Sequence, residues 1–251
     1  MSNTDPVLSV VIPAYNEALN LPDTLNAFHE ALRARNIPHE LLVINDNSKD
    51  NTIEVITELQ KTIPTLRTIF NQPPHNGFGY AIRKGLENFS GDCVAIVMAD
   101  MSDSPADLVK FYDTWREKKV DCVFGDRWCK EGKVIDYPKN KLYLNRFVNR
   151  VISIVFKMRY RDTTNAFKLY SRQAMEGLKP FMSPHFNLTV ELPLKAIVRG
   201  YSFTVVPNSW QNRKHGTSNL KIREMGSRYF FIVLYCLIEK FFSRGDFKKK
   251  W

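Results

Sequence analysis

Two short stretches carry the residue types best suited to chemistry. Pro13-Ala14-Tyr15-Asn16-Glu17 follows the apolar run Leu8–Ile12, and Asn45-Asp46-Asn47-Ser48-Lys49-Asp50 follows Leu41–Ile44. Ligands on open α/β sheets sit outside the carboxyl ends of strands, where Tyr15, Asn16, Glu17, Asp46, Asn47 and Asp50 fall. An ionised carboxylate only accepts hydrogen bonds, so Glu17 suits ribose hydroxyls and Asp46 suits a base N–H. Tyr15 suits the flat face of a base. The same types also cap helices, and for either stretch alone both readings stand.

Four further segments belong with them. Asn76-Gly77-Phe78-Gly79-Tyr80-Ala81 has two glycines before an expected helix. Glycine permits positive φ and close backbone approach, and a helix start directs N–H groups outward. A plain helix-initiating turn explains it equally well. Val97–Pro105, V-M-A-D-M-S-D-S-P, ends an apolar run with Asp100 and Asp103, and Asp103 or Ser104 can cap the helix that Pro105 opens. The basic residues Arg127 and Arg213 stand in Phe124–Trp128 and Asn212–Asn219. Guanidinium offers phosphate two parallel donors, although exposed Arg and Lys usually only solvate a surface.

These residues need a scaffold, and the first half of the chain supplies it by alternation. Short runs at Leu8–Ile12, Leu41–Ile44, Leu66–Phe70, Cys93–Met98 and Cys122–Gly125 read as strands. Helices are expected from Asn20 as cap to about Arg35, and near Thr52–Lys61, Gly79–Asn88 and Pro105–Lys118. This order predicts an α/β fold with a mostly parallel sheet and helices on both faces. The second half predicts an amphipathic helix over Leu142–Phe156 and a strand over Arg161–Tyr170. A helix over Asn187–Arg199, a strand over Phe203–Val206 and a helix from about Ile222 to Phe242 complete it.

A length of 251 residues fits one large α/β domain, or a domain with a small appendage. The net charge of +10 points to an anionic partner. Nucleic acid is disfavoured, because there is no zinc-finger spacing, aromatic RNA-binding signature or basic arm. The four cysteines show no metal or redox spacing and read as buried apolar residues of a reducing cytosol. No export signal is read in the opening residues, and Tyr229–Ile238 is about half the ~20 apolar residues a span requires.

Taken in order, from about Leu8 to Leu220, these motifs resemble the family 2 inverting nucleotide-sugar glycosyltransferases. The likeness is greatest to polyprenyl-phosphate sugar synthases of the dolichyl-phosphate mannose synthase type. The resemblance implies a GT-A-type fold over 1–220, with a carboxy-terminal helix and basic tail over 221–251. It implies a donor site for a GDP- or UDP-linked sugar built from Pro13, Tyr15, Glu17, Asp46, Gly79, Ala99, Asp100 and Ser218. Such enzymes hold Mg²⁺ or Mn²⁺ on an Asp-x-Asp sequence. Met98 replaces its first aspartate here, which leaves Asp100 and Asp103 as the expected ligands. Catalytic roles are implied for Asp100, Arg127, Arg213 and Glu191, the arginines positioning an acceptor phosphate.

Four further departures accompany Met98. Asn45 replaces one of two adjacent acids, Lys168 stands for an arginine and Asn219 for a lysine whose place Lys221 can take. Leu192 follows Glu191 where hydroxyl-glycosylating members keep a base. A phosphate monoester, with its second pKa near ~6, arrives ionised and needs no base, whereas a sugar hydroxyl does. The expected acceptor is therefore polyprenyl phosphate at the cytoplasmic membrane face. A transferase acting on a sugar hydroxyl is the second reading and a non-catalytic nucleotide-sugar binder the third. Peripheral membrane attachment is expected through Leu142–Phe156 and Ile222–Phe242, reinforced by Lys248–Lys250 and Trp251. A homo-oligomer contact through the same helices is the other use for these surfaces.

Overall fold

The computed structural model describes residues 5–213, 215, 216 and 222–249. The first half alternates as expected: β1 (Leu8–Ala14), α1 (Leu21–Ala34), β2 (His39–Asn45), α2 (Thr52–Leu59), β3 (Leu66–Phe70), α3 (Phe78–Asn88), β4 (Cys93–Ile96), α4 (Pro105–Lys118) and β5 (Cys122–Asp126). Next come β6 (Lys133–Ile135), α5 (Lys139–Phe156), β7 (Lys168–Ser171), α6 (Arg172–Gly177), α7 (Leu188–Val198), β8 (Phe203–Pro207), β9 (Ser209–Gln211) and α8 (Ile222–Phe242).

Seven strands form one sheet in the order β3-β2-β1-β4-β7-β5-β8. Only β7 runs antiparallel to its neighbours, and the remaining pairs are parallel. β1 is buried along its whole length because both sheet faces are covered. Its side chains alternate: Val10 and Ile12 pack with Leu25, Phe28 and Leu32 of α1, while Val11 packs with Ile82 and Leu86 of α3. The strand order reverses between β1 and β4, so the loops leaving their carboxyl ends diverge and open a crevice there.

A third apolar layer lies outside α7. Val190 and Leu194 meet Ile152 and Phe156 of α5 and Ile232 and Cys236 of α8. A buried pair, Arg199 Nε to Glu239 Oε1 at 2.7 Å, fixes α8 to the end of α7.

The second half departs from expectation at several points. The strand expected over Arg161–Tyr170 is realised only as β7. Asp162 and Asn165 form a turn, Asn165 N donating to Asp162 O at 3.1 Å, and their side chains bond Arg127 and Gly125 instead of a ladder. Asn20 occupies the start of α1, yet its amide donates to Glu17 Oε2 at 2.5 Å and caps nothing. The short elements α6, β6 and β9 have too few residues to show periodicity.

α5 is oriented against the usual rule. Its polar row turns inward: Asn149 is fully buried and bonds Thr163 and Thr164, and Ser153 donates to Met158 O at 2.7 Å. Much of its apolar surface turns outward, with Phe147 66% exposed, while Ile152 and Phe156 stay buried against α7 and α8. The hydrogen-bonding demand of the 162–165 turn decides this, because a buried polar turn left without partners costs more than apolar exposure of a few side chains.

Candidate active site

A cavity of about 670 Å³ opens at the carboxyl ends of β1, β2 and β4. Pro13, Tyr15 and Glu17 enter from the end of β1, Asp46 and Lys49 from that of β2, and Asp100 and Ser102 from beyond β4. The turns that aim these residues use left-handed backbone at Asn16 (φ 55°), Asn47 (φ 60°) and Met101 (φ 57°). Asparagine tolerates that region, whereas methionine there carries strain of about 1–3 kcal/mol. Such strain persists only where the surroundings enforce it.

Asp46 is held firmly. Its Oδ1 accepts from Asn71 Nδ2 at 2.6 Å and its Oδ2 from Gly77 N at 2.8 Å. Burial still raises its pKa above the ordinary carboxylate value, against the opposing pull of both bonds. Burial likewise raises that of Glu17, opposed by Asn20 and Arg213. Each carboxylate keeps acceptor capacity toward the cavity, since a carboxylate has about four lone-pair sites.

Arg213 reaches Asp100 because of β9. Gln211 N donates to Ser102 O at 3.0 Å, and Trp210 bridges to Asp103, so the chain leaving β9 passes over the 100–103 turn. Arg213 Nη2 then donates to Asp100 Oδ2 at 2.6 Å and stands 3.5 Å from Glu17 Oε1. The cavity is also lined by Tyr137, Pro138 and Lys141 at the start of α5, by Trp210 of β9, whose ring centroid lies 4.8 Å from that of Tyr137, and by Arg228 of α8. Phe186 stacks on Phe78 at 4.1 Å between ring centroids and closes the side above α3.

Six of the expected site residues thus converge on one cavity: Pro13, Tyr15, Glu17, Asp46, Asp100 and Arg213. Five others face elsewhere. Gly79 is needed for the chain's own packing, since a Cβ there would come within 2.4 Å of Pro184 and His185 backbone atoms. Ala99 is buried, and its carbonyl accepts from Thr24 Oγ1 at 2.8 Å. Asp103 turns back to accept from Met98 N at 3.1 Å, and burial lifts its pKa to about 7.

Two of the three expected catalytic groups of the second half, Arg127 and Glu191, are also interior. Arg127 gives Nε and Nη2 to Asp162 at 2.8 and 2.7 Å and is buried with it, so its fork is already occupied. Glu191 is fully buried and accepts from Met182 N and Ser183 N at 2.7 Å each and from Lys195 Nζ, which braces the segment before α7. Lys168 is equally interior, donating to Thr163 O at 3.1 Å. Ser218, Asn219 and Lys221 lie outside the described residues. Sequence reasoning missed Tyr137, Lys141, Trp210 and Arg228 as lining residues. Tyr137 and Trp210 come from an irregular segment and a three-residue strand, Lys141 and Arg228 from the first turns of α5 and α8, and their only sequence signal was proximity to the basic loop and the amphipathic helices.

The family model for glycosyl transferase family 2 matches residues 9–178, which carry all three cavity carboxylates. The chain belongs to glycosyl transferase family 2. Within that family it is 28% identical over 218 residues to the dolichol-phosphate mannosyltransferase of Pyrococcus furiosus, covering 85% of this chain and 59% of the relative. It therefore spans less than two thirds of that relative's length. It is 28% identical over 216 residues to the polyprenol monophosphomannose synthase of Mycolicibacterium smegmatis, covering 84% of this chain and 80% of the relative. The glucosyl-3-phosphoglycerate synthase of Mycobacterium tuberculosis, solved with Mn²⁺, UDP-glucose and phosphoglyceric acid, superposes with a TM-score of 0.68 at 17% identity. That match covers 94% of this chain and 79% of that one. The sheet and its helices are thus those of a GT-A-like glycosyltransferase fold.

The metal expected of this fold has a reduced donor set here. Among the described residues no three His, Cys, Asp or Glu side chains form a metal-holding group. Asp100 remains, and beside it Ser102 Oγ is buried against the cavity without a hydrogen-bond partner. One carboxylate, one hydroxyl, ligand phosphate oxygens and waters make a donor set that Mg²⁺ accepts, because it keeps several waters and binds few protein groups. The residues present fit a metal that arrives with a diphosphate.

Proposed function

We propose that this protein transfers a hexose, with inversion, from a nucleoside-diphosphate sugar to a polyprenyl phosphate at a membrane surface. Two relatives named for dolichol-phosphate and polyprenol-phosphate mannose transfer support the acceptor class. The observation that carries the reading is where the acids lie. Among the described lining residues the carboxylates are Glu17, Asp46 and Asp100, all at or just beyond the ends of β1, β2 and β4, and none comes from the wall that α5 and α8 contribute. Leu192 is buried in the core and Glu191 is occupied. An acceptor approaching from that wall finds no carboxylate among the described residues to remove a proton. It must therefore arrive ionised, as a phosphate monoester does.

In this reading Tyr15 lies on the base, Asp46 accepts from a base N–H and Glu17 from the ribose. Asp100 and Ser102 would hold Mg²⁺ or Mn²⁺, which when bound neutralises charge on the departing diphosphate. Arg213, already on Asp100, adds a cation at the same place and shifts from carboxylate to phosphate as the donor enters. An acceptor phosphate oxygen attacks the anomeric carbon opposite the leaving group, the carbon–oxygen bond to the diphosphate breaks, and the nucleoside diphosphate departs with that electron pair.

Attachment to the membrane is part of the proposal. Tyr143, Phe147 and Ile154 of α5 and Phe230, Leu234 and Phe241 of α8 are exposed, and no described helix is long and apolar enough to span a bilayer. Apolar faces flanked by basic residues suit the headgroup region of a cytoplasmic leaflet.

The test offers purified protein radiolabelled GDP-mannose and UDP-glucose with Mn²⁺ and a short-chain polyprenyl phosphate. Label is expected in the lipid phase. Label confined to water-soluble glycans, with polyprenyl phosphate inert, would replace this reading with transfer to a sugar hydroxyl. His185, the described imidazole on the cavity wall, would then be the first base to examine.

A further inference from the structure

Glu191 and Lys195 stand one turn apart on α7 as an ion pair with no solvent exposure. Burying two charges is costly unless their remaining hydrogen-bonding capacity is met, and here one short stretch of chain meets it. Glu191 Oε1 accepts from Met182 N and Oε2 from Ser183 N, each at 2.7 Å, while Lys195 Nζ donates to Pro180 O. The Tyr235 ring of α8 covers that Nζ, its centroid 5.3 Å away. The pair thus fastens residues 180–183 to α7. The side chains around it do not: Ser183 Oγ and, just beyond, Asn187 Oδ1 are buried without a hydrogen-bond partner among the described residues.

The chain that follows the fastened stretch reaches the cavity, which His185 and Phe186 line. Phe186 lies almost parallel to Phe78, with 13° between the ring planes. A Cβ at Gly77 would stand 3.7 Å from His185 Nδ1, and Gly77 N is the donor to Asp46 Oδ2 at 2.8 Å. A Cβ at Gly79 would come within 2.4 Å of His185 N, so the backbone of 184–185 is pressed against the first turn of α3. Asp46, Gly77, Phe78, His185 and Phe186 are therefore contiguous at one end of the cavity. That contact is close-packed, and a shift of 182–183 moves this wall with it.

We infer that Glu191 is a positioning residue for the donor: with Lys195 it holds residues 180–183 so that His185 and Phe186 close the end of the cavity where Asp46 meets the nucleobase. This rests on the proposed donor site, in which Asp46 accepts from a base N–H. Glu191 then serves the reaction without touching substrate. The residues given to the diphosphate and its metal, Asp100, Ser102 and Arg213, come from the 100–103 turn and the chain leaving β9 and are bonded to one another. Loosening 180–186 leaves them in place.

Glu191→Gln combined with Lys195→Met removes both charges together and leaves no unpaired ion in the interior. Phe186→Ala shortens the wall itself. Calorimetry on the full chain with Mn²⁺ compares GDP, UDP and pyrophosphate, and steady-state transfer supplies KM and kcat. The nucleoside diphosphate that binds the wild type should bind each variant about tenfold more weakly, as loss of an aromatic contact does, while pyrophosphate affinity moves less than twofold. KM for the nucleotide sugar should rise, with kcat within about threefold of wild type and the pH–rate profile unchanged. A fall in kcat with a displaced acid limb of that profile would make Glu191 an acid–base group and overturn the proposal. Equal losses for nucleotide and pyrophosphate overturn it as well, because general loosening of the fold spares neither, and so does unchanged nucleotide affinity in either variant. Should the double variant fail to fold, Lys195→Gln, which keeps a donor toward Pro180 O and leaves Glu191 on its two amides, takes its place under the same criteria. A wild type that binds neither nucleotide overturns the proposal together with the donor site. Transfer to polyprenyl phosphate with nucleotide affinity unchanged in the variants removes the positioning role and leaves the function. Nucleotide affinity lost as expected, with label only in water-soluble glycans, removes the lipid acceptor and leaves the positioning role.

Discussion

Among single residues, Asp100 is the group on which most depends. It is the one acid of the 97–105 segment that faces the cavity, with Arg213 on one oxygen and Ser102 N on the other. Asp100→Ala should lower transfer by about 10²–10³-fold, the usual loss when a group opposing leaving-group charge is removed. It should also abolish the gain in nucleotide affinity that Mn²⁺ gives the wild type, while the circular dichroism spectrum stays unchanged. Full activity in that variant, or in the wild type with EDTA, rules out the metal reading. Asp103 could not be separated from Asp100 by sequence, since both follow the same apolar run. Met98 N settles the matter: its free donor needs an acceptor, and the turn at Met101 brings Asp103 rather than Asp100 to it.

Among elements, β7 and the turn before it carry a buried charge network with no access to the cavity. Burial lowers the pKa of Lys168 from 10.5 to about 7, against the opposing pull of the Asp162 carboxylate. The folded protein therefore holds a neutral amine where the unfolded chain holds an ammonium. The stability this contributes is complete above 10.5 and is lost as pH falls from there to about 7. The melting temperature of the wild type minus that of Lys168→Met should accordingly rise between pH 7 and 10 and stay flat below pH 7. A flat difference across the whole range would mean that the amine is charged in the fold. The motif around Lys168 was legible as a motif, but its role was not, because phosphate-binding and interior cations share one residue type.

Over the molecule as a whole, the +10 charge accompanies outward apolar faces of α5 and α8, the two helices that also supply the cavity wall of Lys141 and Arg228. The protein should float with anionic vesicles at low salt and less so as salt rises, because attraction of basic residues to lipid is screened. Phe147→Ser with Phe230→Ser, two side chains 66% and 70% exposed, should abolish flotation without loss of melting temperature. Flotation equal to wild type would assign both helices to other contacts. Truncating the tail is a poor probe of the same point. Lys249 Nζ bonds both oxygens of Asp121 at 2.9 Å, and its backbone N–H donates to Arg199 O, so the tail ties α8 to the sheet.

The alternating half of the fold and the strand-end acids were legible from residue order, because buried parallel strands and the turns that end them are encoded locally. Val10, Ile12 and Leu41–Ile44 announce their burial, and Tyr15, Glu17, Asp46 and Asp100 fall where any open sheet presents its ligands. Which charged groups stay available was settled only by packing. Arg127, Glu191 and Lys168 satisfy interior partners brought from 35, 8–9 and 5 residues away, whereas Lys141 and Arg228 meet none among the described residues. Packing also turned the polar row of α5 inward, since the 162–165 turn supplies partners that no helical periodicity foretells. Competition among buried polar groups for a limited set of partners is a property of the packed chain, and composition and spacing do not contain it.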